Sequence, residues 1–136
     1  MKFAIVAISI LQIFFYNSDR SFGYNEIIMP ENFPVKYQAW VMFTEIFGRH
    51  NFDFVPQDVR VLAVNFDNYD GHLTLDVSAE IMNYGGTYFE YYFVKKLIKN
   101  ATSLEEVCYF TLLVEGELIH LPEGVKIYRA LFEPLE

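Results

Sequence analysis

The sequence predicts an α+β fold in which one long helix packs on a curled antiparallel sheet of four or five strands. Two patterns predict it. Apolar residues recur at three- and four-residue spacing between residues 35 and 47, which is typical of an amphipathic helix. After residue 59 apolar and polar residues alternate over short stretches, which is typical of half-buried strands. A helix laid across one sheet face would bury both apolar surfaces together.

The composition is that of a compact single domain. The chain has 136 residues, of which 53% are hydrophobic and 18% aromatic, and this is ample for a packed core. Its net charge is −8, from 10 basic and 18 acidic residues. A surface of this sign repels phosphate backbones, so we expect no nucleic-acid binding. The sequence contains no Walker loop, HExxH or CxxC motif, so we expect neither enzymatic activity nor a cofactor.

Residues 1 to 23 are predicted to be a secretory signal peptide. A lysine near the start precedes an apolar stretch at residues 3 to 16, and Ser21 and Gly23 occupy the −3 and −1 positions of a cleavage site. The apolar stretch is short for a bilayer-spanning helix. We therefore expect residues 24 to 136 to form one secreted, monomeric domain with no stable membrane insertion after cleavage. The alternative is an uncleaved anchor or a buried N-terminal helix.

The predicted helix begins at Pro34, whose fixed φ suits the first helical position, and ends at Gly48, which accommodates a left-handed turn. Its apolar stripe is expected to lie in the core, and the alternative for its aromatic members is the lining of a ligand cavity. The stripe consists of Ala39, Trp40, Met42, Phe43, Ile46 and Phe47.

Residues 59 to 66 and 72 to 81 are predicted to form a β-hairpin. The intervening DNYDG has the residues of a tight turn, because glycine tolerates positive φ and Asn or Asp bonds its own backbone. In the second strand the odd-numbered positions are expected to be buried and the even-numbered ones to face water. The buried set is Leu73, Leu75, Val77, Ala79 and Ile81, and the solvent-facing set is His72, Thr74, Asp76, Ser78 and Glu80.

Two further strands are predicted at residues 87 to 97 and 107 to 115, with a last extended piece at 125 to 132. The polar stretch between the two strands, at 99 to 106, is expected to be an exposed loop. It contains an Asn-Ala-Thr sequon, so Asn100 is the predicted glycosylation site. The only cysteine has apolar neighbours on both sides and is expected to be a buried thiol.

Acidic residues and a histidine crowd the hairpin region, but the pattern favours a solvated face rather than a metal or catalytic site. An EF-hand with Gly71 as its central glycine would need oxygen ligands at Phe66 and Val77, which carry none. His72 and Asp76 share one strand face, yet about 13 Å separates them at the usual strand rise. We therefore expect no metal site and no catalytic residue here.

The order of helix, hairpin and further strands behind a signal peptide resembles the cystatin-like superfamily over residues 33 to 121. Residues 33 to 51 look like the cystatin helix, and residues 52 to 66 look like the strand that follows it. The resemblance implies a wedge that inhibits papain-like cysteine proteases. The stretch FDNYDGH at residues 66 to 72 takes the place of the family's Gln-x-Val-x-Gly hairpin, keeps one glycine and lacks the Gln-Val pattern, and no Pro-Trp hairpin is present.

The preferred interpretation is a secreted, non-enzymatic protein-binding module of cystatin-like fold. One alternative is a degenerate cysteine-protease inhibitor whose hairpin enters the protease cleft. Another is a small pocket enzyme or ligand carrier of a helix-plus-sheet cone fold, using His72 and Asp76. The partner is expected to be a protein, with cysteine proteases as one class. The predicted partner-binding residues are Asn68, Tyr69, Asp70 and Gly71.

Overall fold

The computed structural model describes residues 8–48 and 54–132. Within these ranges the chain forms two sheets and two α-helices, and a short 3-10 helix, Ala79–Met82, follows the fourth strand. The elements in chain order are β1 (Ile8–Tyr16), β2 (Phe22–Pro30), α1 (Val35–Gly48), β3 (Val61–Asp67), β4 (His72–Val77), α2 (Thr87–Ser103) and β5 (Tyr109–Val114).

The two sheets are small and separate. Strands β1 and β2 form an antiparallel hairpin whose register runs from Ile8 opposite Pro30 to Tyr16 opposite Phe22. The second sheet has the order β3-β4-β5, with β3 antiparallel and β5 parallel to β4. The predicted fold, one helix on an antiparallel sheet of four or five strands, is therefore wrong. The chain is still α+β, but a second helix and a parallel strand pair change its topology.

The largest correction concerns residues 87 to 97, which were predicted as a strand and lie in α2. Aromatic residues favour strands only where they fit a half-buried sheet surface. Here Phe93, Leu97 and Ala101 are fully buried at four-residue spacing, so one face of the helix packs into the core. The predicted loop at 99 to 106 is mostly the last turns of the same helix.

The parallel pairing of β4 and β5 follows from α2. Parallel neighbouring strands need a crossover connection of about 12 or more residues, which is usually a helix. Residues 78 to 108, which include α2, supply this connection. The predicted extended piece at 125 to 132 forms only an isolated bridge, in which Ala130 exchanges backbone hydrogen bonds of 2.8 and 3.0 Å with Phe110, and the chain bends at Arg129, whose φ is +49°. This C-terminal segment (residues 125 to 132) covers the outer edge of β5.

The predicted core face of β4 is confirmed up to residue 77 and is wrong beyond it, where Ser78 is buried and Ala79 is exposed because the strand has ended. Leu73, Leu75 and Val77 are fully buried, and Phe43 of α1 stacks on Phe110 of β5 with centroids 5.7 Å apart and an interplanar angle of 6°. The strand ends earlier than predicted, at residue 77. Of the predicted helical stripe, all members are buried except Trp40, which is partly exposed at the edge of the core.

The β1–β2 hairpin is attached to α2 through Asn100. The Asn100 side chain is fully buried, and its Oδ1 accepts a 2.7 Å hydrogen bond from the Phe14 backbone N–H while its Nδ2 donates to the Phe14 carbonyl at 3.0 Å. The amide thus supplies the hydrogen-bonding partners that a neighbouring strand would otherwise supply to the edge of β1. The exposed loop expected at this sequon is absent, and a glycan on the folded chain would require Asn100 to leave this site. Glycosylation of Asn100 stays a prediction.

The predicted signal peptide, residues 1 to 23, overlaps the hairpin. Strand β1 contributes the buried side chains of Leu11, Ile13 and Tyr16, and the Tyr16 hydroxyl donates to the Tyr92 carbonyl at 2.7 Å. Cleavage after residue 23 would remove all of these contacts. Whether it occurs stays a prediction.

Candidate functional site

The predicted site is the turn between β3 and β4, and its backbone is held by local hydrogen bonds. The Gly71 N–H donates to the Asp67 carbonyl at 2.9 Å, and the Tyr69 N–H donates to Asp67 Oδ1 at 2.9 Å. The Asp70 carboxylate accepts from the His72 N–H at 3.2 Å. These are the side-chain-to-backbone bonds expected of Asp in turns, and they restrict the turn to one shape.

Gly71 fastens this turn to the start of β5. Its carbonyl accepts from the backbone N–H groups of Cys108 and Tyr109, at 2.8 and 3.1 Å. Its φ is +74°, and a Cβ placed there would approach Cys108 Sγ and the Glu106 carbonyl to 2.9 Å. Glycine is therefore required both by conformation and by space. Cys108 was expected to be buried and is exposed instead, because its side chain lies beside the turn and not under the sheet.

The four predicted binding residues fall into two pairs. Tyr69 is 95% exposed, and Asn68 beside it is also exposed. Asp70 is half-buried and Gly71 is buried, and both are bonded to the body of the protein. Only the first pair is free to touch a partner, while the second pair positions it.

Arg129 holds the turn from the opposite side. Its Nη1 lies 3.0 Å from Asp70 Oδ2, and its guanidinium carbon lies 4.4 Å from the ring centroid of Tyr109, within cation–π range. The hydrogen bond to Arg129 lowers the pKa of the Asp70 carboxyl and raises the pKa of the guanidinium. Sequence reasoning missed Arg129, because 59 residues separate it from Asp70 and no local pattern connects them.

His72 is part of the same cluster and has both ring nitrogens engaged. Its Nε2 lies 2.6 Å from Thr111 Oγ1, and its Nδ1 lies 3.3 Å from Arg129 Nη1. A guanidinium can only donate, so Nδ1 accepts and Nε2–H donates to the threonine. Thr111 also accepts from the Arg129 backbone N–H at 2.9 Å. The ring therefore joins β4, β5 and the C-terminal segment.

His72 and Asp76, the two residues of the alternative pocket enzyme, have different partners. The Asp76 carboxylate accepts from the Gly116 N–H at 2.8 Å. Within residues 8–48 and 54–132, no three His, Cys, Asp or Glu side chains come close enough together to hold a metal ion. No helix in the same ranges is long and apolar enough to cross a bilayer.

Two concave regions lie away from the hairpin tip. A cleft of about 660 Å³ separates β1 from the start of α1 and the end of α2. It is polar, and its carboxylates belong to Glu26, Glu31, Glu105 and Glu106. An apolar groove of about 330 Å³ lies beside α2 on the side of the C-terminal segment. Neither region contains residues of the predicted site.

Comparison with known proteins rests on structure alone, since no protein-family model and no curated protein matches the sequence. The first GerMN domain of the sporulation protein GerM from Bacillus subtilis is 19% identical, with a TM-score of 0.64 over 91% of this chain and 97% of that one. The tandem GerMN domains of the same protein give 20% identity and a TM-score of 0.64. There the match covers 93% of this chain and 46% of the other.

A third similar structure is titled "Putative Lipoprotein from Clostridium perfringens". It is 14% identical, with a TM-score of 0.57 over 93% of this chain and 89% of that one. At these identities the similarity shows the fold alone. The chain shares the fold of the GerMN domains, and the resemblance to the cystatin-like superfamily, with the protease-inhibitor interpretation built on it, is wrong.

Proposed function

We propose that the chain is an exported, monomeric, non-catalytic protein-binding module whose partner contacts the tip of the β3–β4 hairpin. One observation carries the proposal: Tyr69 is 95% exposed on a turn that hydrogen bonds fix from both sides. A tyrosine held in this way offers a large contact area and loses little conformational freedom on binding.

The chemistry around the tip defines the partner surface. The Asp70 carboxylate is already neutralised by Arg129. The tip therefore offers an aromatic ring, the Asn68 amide and the exposed carboxylate of Asp67. A complementary surface would be an apolar pocket with a hydrogen-bonding group at its rim. The hydrogen bonds of His72 to Thr111 and Arg129 help to hold the base of the turn in place.

The location proposed is outside the cytoplasm. The apolar stretch at residues 3 to 16 supports export, and a similar structure carries the description of a lipoprotein. Secretion is the more specific proposal, and cleavage after Gly23 is a separate question, because that cut would remove the buried side chains of β1. Sequencing the N-terminus of the protein recovered from its native compartment tests the cleavage, and retention of residues 8 to 23 in an exported product would contradict it.

A photo-crosslinking amino acid at position 69 tests the binding role directly in the producing cells. Tyr37 provides the matched control, because it is a 52% exposed tyrosine on α1. A partner crosslinked from position 69 and not from position 37 should then lose affinity for Tyr69→Ala. Loss of a hot-spot tyrosine costs about 2 kcal/mol, or roughly 30-fold in Kd. Unchanged affinity for Tyr69→Ala, or equal losses for Tyr37→Ala, would contradict the proposal.

A further inference from the structure

Helix α2 has a second apolar stripe at the edge of the core, where Val94 and Ile98 are only partly buried. The stripe of Phe93, Leu97 and Ala101 is fully buried. The second stripe, Tyr91, Val94 and Ile98, forms one side of the 330 Å³ groove. The spacing of three and four residues places these side chains on one helical face. The helix is therefore apolar toward the core and also toward this groove.

The groove is completed by the C-terminal segment. Its floor consists of half-buried aliphatic side chains of α2, and its opposite wall is exposed, with Leu131 at 53% and Val125 at 37%. Apolar side chains on both sides of a concave surface are typical of a binding groove rather than of isolated surface residues. The lining residues are Tyr91, Val94, Lys95, Ile98, Val125, Leu131 and Phe132.

Two lysines one helical turn apart give the groove its charge. Lys95 belongs to the lining, and its Nζ lies 5.9 Å from the ring centroid of Tyr91. Lys99 Nζ lies 4.7 Å from the ring centroid of Phe14 and 4.9 Å from that of Phe132. Among the described residues, neither ammonium has a carboxylate within 4.0 Å. Both cations are thus held over aromatic rings and keep hydrogen-bond donors available.

We propose that this groove binds a short acidic and apolar segment of a protein partner. One or two apolar side chains would fill the groove, and carboxylates on either side would pair with Lys95 and Lys99. Charge complementarity selects this occupant, because the groove contributes cations and no carboxylate on a chain whose net charge is −8. The negative charges elsewhere on the chain act only weakly on the groove, because physiological salt screens electrostatic interactions over about 8 Å.

The shape and charge disfavour two other occupants. A flat bilayer surface would reach the walls at Tyr91 and Leu131 but not the recessed floor at Val94 and Ile98. A second copy of the chain would bring a net charge of −8 to the interface, and the approach of two chains of that charge is unfavourable. Both occupants remain outcomes of the experiment.

The probe is a fluorescein-labelled peptide with two leucines between pairs of glutamates, followed by fluorescence anisotropy. We expect saturable binding that weakens with added salt, and no binding of the same peptide with lysines in place of glutamates. The combined change Lys95→Glu and Lys99→Glu should reduce affinity at least tenfold, and so should Leu131→Asp. Lys36→Glu, on α1, makes half that change of charge at an exposed site outside the groove lining and should have no effect.

Several results would overturn the proposal. They are no peptide binding up to millimolar concentration, equal binding of the lysine peptide, or an equal loss for Lys36→Glu. Binding to phosphatidylglycerol vesicles without peptide binding would assign the groove to a membrane. Dimerisation in sedimentation that Leu131→Asp abolishes would assign it to a second copy.

Circular dichroism checks that each variant folds. Tyr69→Ala should leave peptide binding unchanged, which separates this groove from the hairpin-tip proposal.

Discussion

The three-stranded sheet and the β1–β2 hairpin are held to the protein by different kinds of contact. The sheet presents Leu73, Leu75 and Val77, all fully buried, to the two helices. The hairpin is held at its edge by the buried amide of Asn100 and near its turn by the Tyr16 hydroxyl. A substitution in aliphatic packing destabilises the protein because it leaves a cavity. A substitution in a polar attachment destabilises it because a buried group is left without its hydrogen-bond partner.

Aromatic and cationic contacts add to the hairpin attachment. The guanidinium of Arg20, in the β1–β2 turn, lies 5.3 to 5.8 Å from the ring centroids of Phe54, Tyr88 and Tyr92. Its Nε also donates to the Tyr88 hydroxyl at 3.1 Å. Contacts of this kind at a partly solvated site contribute about 0.5 to 2 kcal/mol each. The hairpin therefore depends on several modest polar and aromatic contacts in addition to its buried apolar side chains Leu11, Ile13 and Met29, whereas the sheet depends mainly on apolar packing.

Removing the hairpin strand should have the largest effect. A chain that begins at Tyr24 lacks Leu11, Ile13 and Tyr16, which are all buried. At about 1.5 to 3 kcal/mol for each large apolar side chain, the loss approaches the total stability of a domain, about 5 to 15 kcal/mol. We expect no cooperative thermal transition by calorimetry. A transition like that of the full chain would mean that the hairpin is dispensable and that cleavage after Gly23 is tolerated.

Leu75→Ala should have the next largest effect, because Leu75 is fully buried at the centre of β4. The expected loss is about 2 to 5 kcal/mol in the free energy of unfolding. Urea titration at pH 7 measures it. A loss below 1 kcal/mol, about that of a surface change, would contradict the sheet-centred core.

Asn100→Ala tests the polar attachment of the hairpin. The substitution leaves the N–H and carbonyl of Phe14 without their partner, and an unpaired buried group costs about 1 to 3 kcal/mol. We expect a loss of this size by urea titration, together with faster hydrogen exchange of the Phe14 amide. Unchanged exchange would show that the amide does not hold this strand edge. Thr102→Ala removes the sequon and keeps Asn100, so it separates any effect of a glycan.

Acid should weaken the hairpin tip through Asp70. Its folded pKa is lowered by the hydrogen bond to Arg129, so its contribution to stability is present above the unfolded pKa, about 3.9. The contribution disappears as the pH falls through the lower folded value. Asp70→Asn should therefore be less stable than the unchanged protein at pH 7, and the two stabilities should converge at low pH. Urea titrations between pH 7 and pH 2.5 measure the difference, and a constant offset would contradict the assignment.

Tyr69→Ala should have the smallest effect on stability. The side chain is 95% exposed, and surface substitutions usually change stability by less than about 0.5 kcal/mol. The same urea titration as for Leu75→Ala makes the comparison direct. Equal costs at the two positions would mean that the register of the β3–β4 hairpin is wrong. A stable Tyr69→Ala variant is also the condition for interpreting any loss of partner binding.

The missed helix shows why part of the fold could not be predicted locally. Helix α2 places Glu90, Lys96 and Asn100 on its buried side, and these polar residues interrupt the apolar period by which a helix is recognised. Their burial is explained by partners far along the chain. Glu90, for example, accepts hydrogen bonds from the Tyr84 hydroxyl at 2.7 Å and from the backbone N–H groups of Glu123 and Val125 at 2.9 and 3.1 Å.

By itself the sequence determined α1, the β3–β4 hairpin and the buried face of β4, since each depends on a period or a turn within about 20 residues. It also placed Tyr69 at an exposed turn. Only the tertiary structure decided that α2 is a helix, that β5 runs parallel to β4 and that Arg129 holds Asp70. The physical reason is that a buried polar group is stable only beside a hydrogen-bonding partner, and these partners lie up to 86 residues away.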